Sequence, residues 1–164
     1  MSKTEQNLMD AFAGESQANR KYLAFAKKAE QEGFTNVAKL FRAAAAAETI
    51  HAHNHLRGMN AVKSTKENLM AAISGETFEF QNMYPRMISD AKAEGQDYAL
   101  RSFNLANEVE KVHAALYTKA LESLGNGTAV DYHVCSVCGH TVEGEAPDEC
   151  PVCRSKKQAF HKTE

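Results

Sequence analysis

Apolar residues recur at spacings of three and four along four long stretches of the chain, the signature of amphipathic helices. One seam runs Leu8, Phe12, Glu15, Asn19, Tyr22, Ala26 within a helix expected over residues 3–31. After a break at Gly33, a second helix over 35–58 carries Val37, Phe41, Ala44, Glu48, His51, His55. Ser64-x-x-Glu67 has the form of a capping box and opens a third helix with the seam Leu69, Ile73, Glu76, Phe80, Met83, Met87. Pro85 lies inside that helix and is expected to kink it or to remove a backbone bond. Glu94-Gly95-Gln96 interrupts the pattern. A fourth helix over 96–124 carries Ala99, Phe103, Ala106, Glu110, His113, Tyr117, and Leu124-Gly125-Asn126-Gly127 stops it. The tract Ala43–Ala47 has high helix propensity and no bulk, so another backbone can approach it closely.

Each seam holds a carboxylate where an apolar residue belongs. Glu48-x-x-His51 and Glu110-x-x-His113 set an acid and an imidazole three apart, on one helix face. An ionised carboxylate left unpaired in an apolar seam costs several kcal/mol, and the seams hold no Lys or Arg to compensate it. A metal ion is the natural partner. The pattern is also repeated: Gly14-Glu15 matches Gly75-Glu76 at an offset of 61, and Glu32-Gly33 matches Glu94-Gly95 at 62. Glu48 and His51 match Glu110 and His113, also at 62. Two helical hairpins with the same polar residues at matching places suggest a pseudo-two-fold site.

After Gly127 the character changes. Tyr132-His133-Val134 reads as a short strand. Cys135-x-x-Cys138 and Cys150-x-x-Cys153 follow, with eleven residues between Cys138 and Cys150. Two such knuckles supply four thiolates in a tetrahedron, the geometry of Zn(II) and of iron in sulfur sites. A segment this short cannot rely on a core, so a metal must hold it together, with Tyr132 and Phe160 as its small apolar cluster.

Composition narrows the function class. With 164 residues and 43% hydrophobic content, one full domain and a small second one are possible. A net charge of −2 with no basic block gives no footprint for nucleic acid. The polar start Met1–Asn7 lacks the form of a secretory leader, and no apolar run approaches the ~20 residues of a membrane span. The expectation is a cytoplasmic protein with reduced thiols and no membrane partner.

The helical set Glu15, Glu48, His51, Glu76, Glu79, Glu110 and His113 matches the ligand pattern of ferritin-like carboxylate proteins, with Glu79 as an addition. Alone, Glu79 also reads as a solvated acid on a helix flank. Together with Met83-Tyr84-Pro85, the two Cys knuckles and Gly144-Glu145-Ala146-Pro147, these residues make the whole chain resemble the rubrerythrin family. That resemblance implies a mainly α fold: a ferritin-like four-helix bundle over 1–126 and a rubredoxin-like four-cysteine domain over 130–164. It implies a di-iron peroxidase that reduces hydrogen peroxide to water and protects against oxidative stress. One iron would be held by Glu15, Glu48, Glu110 and either His51 or Glu79, exchanging the two with redox state. The other would be held by Glu48, Glu76, Glu110 and His113. A third iron, or zinc as prepared, would occupy Cys135, Cys138, Cys150 and Cys153. Electrons would come from an NADH-linked reductase or a rubredoxin. Tyr22 and Tyr84 match tyrosines that line the family's site and join His51 and Glu79 as candidate catalytic residues, although both also read as ordinary core tyrosines. The rival readings are a ferroxidase using the same carboxylates with dioxygen, and a non-enzymatic zinc ribbon.

Assembly follows from reach. A single-chain ferritin-like bundle needs one long crossover connection, across helices of roughly 40 Å at ~1.5 Å per residue. The link from Gly58 to Ser64 extends to at most roughly 20 Å. A homodimer that exchanges hairpins, each site taking helices one and two from one chain and three and four from its partner, satisfies both constraints. An up-down-up-down monomer is the alternative.

Overall fold

The computed structural model describes residues 1–163; Glu164, the last residue of the expected four-cysteine domain, lies outside them. The helices are α1 (Lys3–Gln31), α2 (Thr35–Gly58), α3 (Thr65–Phe78), α4 (Tyr84–Ala93) and α5 (Asp97–Glu122). Strands β1 (Tyr132–Cys135), β2 (Thr141–Glu143) and β3 (Phe160–Lys162) follow. This is the expected fold class, mainly helical with a small C-terminal four-cysteine module. The chain forms two compact units, Met1–Lys63 and Ser64–Glu164.

In the first unit α1 and α2 form a hairpin. Ser2 and Glu5 close a capping box at the start of α1. At its end Gly33 takes φ +83°, so that Phe34 N–H reaches Ala29 O at 2.8 Å and Gly33 N–H reaches Glu30 O at 3.0 Å. That pairing is a Schellman stop, and its left-handed residue favours glycine. Alanines make the contact between the two helices: Ala26, Ala29, Ala38, Ala45 and Ala52 are buried. The alanine tract thus permits the close approach expected of it. Asn19, buried among them, donates its amide to Ala45 O at 2.7 Å and to Thr49 Oγ1 at 2.9 Å. Larger apolar side chains of this unit, Phe25, Val37 and Leu40, stay exposed.

In the second unit Ser64 and Glu67 form the expected capping box. The third helical arm runs from α3 through a π turn, Glu79–Met83, into α4. Tyr84 N–H bonds Glu79 O, five residues back. The extra residue places Pro85 in the first turn of α4, where a missing N–H removes no intrahelical bond. The expected disruption at Pro85 therefore takes the form of a π turn, and the helical path continues to Ala93. Gly95, φ +66°, repeats the Gly33 stop, with Gln96 N–H on Ala91 O. Both α3 and α4 pack against α5. That helix ends at Glu122, slightly before the expected 124, and Gly125 then turns at φ +90°.

The sheet order is β2-β1-β3, antiparallel throughout, with Tyr132 opposite Glu143 and Cys135 opposite Phe160. Strand alternation puts Tyr132 and Val134 on one face, where they line a cavity of about 360 Å³ with Leu69, His113 and Leu116. Phe160 is on the other face and meets the His140 ring edge-on at 6.3 Å. The expected Tyr132–Phe160 cluster does not form, because a three-residue offset along β1 separates them. Among the described residues no Leu, Ile, Phe or Met is buried; the buried apolar side chains are alanines, Val109, Cys135 and Cys150. No helix among them is long and apolar enough to cross a membrane.

Candidate metal centres

Among the described residues three groups of side chains have the spacing of a metal site. The first is in the hairpin. His51 Nδ1 lies 2.8 Å from Glu48 Oε2, one turn away on α2, and 3.9 Å from Glu15 Oε1 on α1. The second is in the other unit. His113 Nδ1 lies 2.7 Å from Glu110 Oε2 on α5 and 3.9 Å from Glu76 Oε1 on α3. Each group is two carboxylates around one imidazole nitrogen, and the distances agree to 0.1 Å. The internal repeat is thus a repeat of geometry as well as of residues. Among the described residues no Lys or Arg forms an ion pair with Glu15, Glu48, Glu76, Glu79 or Glu110.

Glu79 lies outside the Glu76–Glu110–His113 group but within its field. Burial pushes the Glu79 carboxyl up, and the Glu110 charge adds to it. Glu76 is raised by burial first and then by Glu110. Tyr84, whose ring lies tilted against Phe103 at a centroid distance of 6.3 Å, is raised by burial and then by Glu110, Glu79 and Glu76. Tyr84 therefore lies within the field of the acids of its own unit. Tyr22 sits in an aromatic cluster with Phe25 and Phe41, at centroid distances of 6.3 and 6.1 Å. The paired carboxylates and the imidazole of each helical group are the mixed oxygen and nitrogen donors that suit Fe(II).

The third group is the thiols. Cys135 Sγ and Cys153 Sγ are 3.6 Å apart, as are Cys138 Sγ and Cys150 Sγ. A disulfide needs about 2.05 Å, whereas a tetrahedron with metal–sulfur bonds of about 2.3 Å has sulfur–sulfur edges near 3.8 Å. The two knuckles are local copies. Gly139 N–H bonds Cys135 O at 2.8 Å and Arg154 N–H bonds Cys150 O at 3.0 Å, each residue in the left-handed region at φ +84° and +64°. Burial pushes the Cys138 and Cys150 thiols up. Burial would raise Cys153 too, but the Ser155 hydroxyl and backbone N–H bring it down to about 6.

Sequence reasoning gave no role to Thr141 or His140. His113 Nε2 lies 3.0 Å from Thr141 Oγ1 on β2, and His140 is buried beside the knuckle. Neither belongs to a spacing pattern, so only the docking of β2 on α5 reveals them.

The raised carboxyls fix a pH dependence for the metal-free protein. A folded-state pKa above the unfolded value adds stability that is complete below the ordinary carboxylate range and is lost as pH rises through the raised value. Melting temperature should therefore fall with rising pH in that window, more steeply in the wild type than in Glu76→Gln, which lacks the ionisation. Divalent metal at a hundredfold excess over its Kd should restore about 2.7 kcal/mol. Thermal melts across pH, with chelator and with metal, check this; identical slopes in wild type and Glu76→Gln would refute the clustered-acid account.

Known proteins match both parts. The rubrerythrin family model matches residues 6–121, and the model for the rubrerythrin rubredoxin-like domain matches residues 133–161. Nigerythrin of Nitratidesulfovibrio vulgaris is 34% identical, covering 98% of this chain and 86% of that protein. Rubrerythrin-2 of Clostridium acetobutylicum is 34% identical, covering 96% and 95%. The solved structure of partially reduced nigerythrin superimposes with a TM-score of 0.61 at 33% identity, covering 99% of this chain and 88% of that one.

Proposed function

The chain belongs to the rubrerythrin family of di-iron proteins with a rubredoxin-like domain, and from that premise we propose that it is a cytoplasmic non-haem di-iron peroxidase. It reduces hydrogen peroxide to water in defence against oxidative stress. The observation that carries this reading is the same carboxylate–imidazole half-site appearing twice, on a chain that also holds its own thiolate centre. A storage protein has no need of a private electron donor.

When bound, an iron pair would supply the two electrons that, with two protons, reduce hydrogen peroxide to two waters. The chain's own residues do the rest. Glu48 and Glu110 would bridge and neutralise such a pair, Glu15 and Glu76 would be terminal donors, and His51 and His113 would each hold one ion. Glu79, three residues after Glu76 at the start of the π turn, would be the reserve anionic donor exchanging with His51 as charge on the metals rises. Tyr84, within the field of the acids, is the hydroxyl available to peroxide oxygen, with Tyr22 on the α1 side. Cys135, Cys138, Cys150 and Cys153 would hold the iron that passes on electrons from an NADH-linked reductase or a rubredoxin. The helical domain spans 1–126 and the relay domain 130–164.

The active form is a homodimer that exchanges hairpins. The connection between α2 and α3 supports this. After Gly58 the chain turns back on itself: Asn60 takes φ +51°, with Asn60 N–H on Arg57 O and Ala61 N–H on Leu56 O, both at 2.9 Å. A Schellman turn spends most of the link, leaving Val62 and Lys63 before the Ser64 cap. Such a link cannot travel the length of a 24-residue helix, about 36 Å. The exposed Phe25, Val37 and Leu40 give the partner hairpin an apolar seam to cover.

The anaerobic experiment tests the chemistry. Fully reduced, iron-loaded protein should oxidise at both centres within one addition of hydrogen peroxide, read from the thiolate-to-iron and carboxylate-iron absorption bands. Peroxide that leaves both bands unchanged, while dioxygen oxidises the iron, would replace this reading with a ferroxidase.

A further inference from the structure

His113 is held on both of its ring nitrogens. Nδ1 faces Glu110 and Glu76, while Nε2 lies 3.0 Å from Thr141 Oγ1. Thr141 in turn has Gly139 O at 3.1 Å. A hydroxyl has one proton and two lone pairs. Donating that proton to the Gly139 carbonyl leaves Thr141 Oγ1 to accept, so Nε2 must carry the hydrogen. In the neutral ring Nδ1 then keeps its lone pair, directed between the two carboxylates, where a metal ion would take the place of the proton that the 2.7 Å contact to Glu110 otherwise shares. Gly139 is the residue that follows Cys138 in the first knuckle. It sits over Val109, which is buried on α5 one turn before His113. Farther along the same helix Lys119 Nζ pairs with Glu143 at 2.5 Å. Strand β2 therefore docks along one face of α5, and Thr141 is where that docking meets the half-site.

We propose that Thr141 is a positioning residue: it fixes His113 with hydrogen on Nε2 and the lone pair on Nδ1, so that the four-cysteine module sets the metal affinity of the helical half-site on its own chain. This rests on His113 being a ligand, as in the function proposed above. His51 supplies the contrast. Its Nδ1 has the matching acids, but its Nε2 has no hydrogen-bond partner among the described residues. The histidine assigned to leave the metal is the one without an anchor, and the one assigned to stay has it. Outer hydrogen bonds of this kind orient a metal-bound imidazole and raise its basicity, and losing one typically costs about 10–100-fold in affinity.

The test uses full-length protein in which the four-cysteine site is first filled with Zn(II). Co(II) is then titrated into the carboxylate site and followed by its visible absorption. Thr141→Val keeps the shape and removes the hydroxyl, so its Co(II) affinity should fall about 10–100-fold. Thr141→Ser restores the hydroxyl and should return the affinity to near the wild-type value. Retained zinc in all three proteins shows that the module is intact. Wild-type affinity in Thr141→Val overturns the proposal, and so does a Thr141→Ser protein as weak as Thr141→Val, since packing would then explain the loss. In wild-type protein filled with Zn(II) at every site, nitrogen-15 NMR should find His113 protonated at Nε2 and bound through Nδ1. The opposite tautomer overturns the proposal whether or not the valine variant folds. A wild-type protein that binds no Co(II) beyond the cysteine site, with His113→Ala behaving identically, would instead remove the ligand assignment itself.

Discussion

Reduced Cys138→Ser or Cys150→Ser protein is expected to react once with hydrogen peroxide and then to stall, with reductase-supported turnover falling to background. The two sulfurs lie 3.6 Å apart across the thiolate tetrahedron, and removing either leaves three donors where an electron-relay iron needs four. The module has little else to hold it. Its sheet is three short strands, and its fully buried side chains are Cys135 and Cys150 themselves. Structural metal sites of this size supply about 10–16 kcal/mol of apparent folding free energy, so loss of the metal loosens the module while the helices stand. Single-turnover absorbance, steady-state NADH consumption and circular dichroism separate the effects. Undiminished reductase-linked turnover in either variant would take the cysteines out of the electron path. The variants also bear on Thr141: a loosened module releases His113 Nε2, so Co(II) binding at the carboxylate site should weaken as it does in Thr141→Val.

Helix limits were largely legible because the 3.6-residue period is strong and its interruptions are chemical. Gly33 and Gly95 stop helices by adopting a left-handed backbone that other residues resist. The Ser64 cap was legible from its partner Glu67, three residues on. The half-sites were legible for a different reason: a carboxylate in an apolar seam contradicts its surroundings, and a repeated contradiction needs one cause. What periodicity cannot reveal is which of two apolar stripes on a helix meets its neighbour first. The seam drawn through Val37 and Phe41 identified the face that carries Glu48 and His51, yet the hairpin itself closes on alanines such as Ala38 and Ala45. A stripe of small residues brings backbones together, while the large residues beside it stay open. The π turn was hidden as well. Pro85 announced a disturbance, but insertion of one residue upstream is a register choice that leaves no compositional trace. Thr141 was illegible because its role depends on a strand docking 28 residues away from His113.

Mixing inactive chains should return activity. Glu48→Ala and Glu110→Ala are each expected to abolish peroxide turnover, because in the proposed site each removes a carboxylate that would bridge both ions, a position the reserve donor Glu79 is not assigned to fill. The two lesions lie in different units, Glu48 in Met1–Lys63 and Glu110 in Ser64–Glu164. In a hairpin-exchanged heterodimer of the two variants, one site combines the damaged hairpin with the damaged α5 and is dead. The other combines the intact hairpin of the Glu110→Ala chain with the intact α5 of the Glu48→Ala chain, and it is whole. Each heterodimer then recovers about half of the wild-type dimer's activity. Without exchange every site keeps one lesion, and no mixture recovers anything. Unfolding and refolding the variants together, with differently tagged chains to isolate heterodimers, makes the comparison clean. Bound metal gives a second readout, since only the whole site should retain two ions. An isolated heterodimer with neither activity nor a metal pair would return Glu48 and Glu110 to the same chain's site, and the short turn after Gly58 would then have to be accommodated by an up-down-up-down monomer.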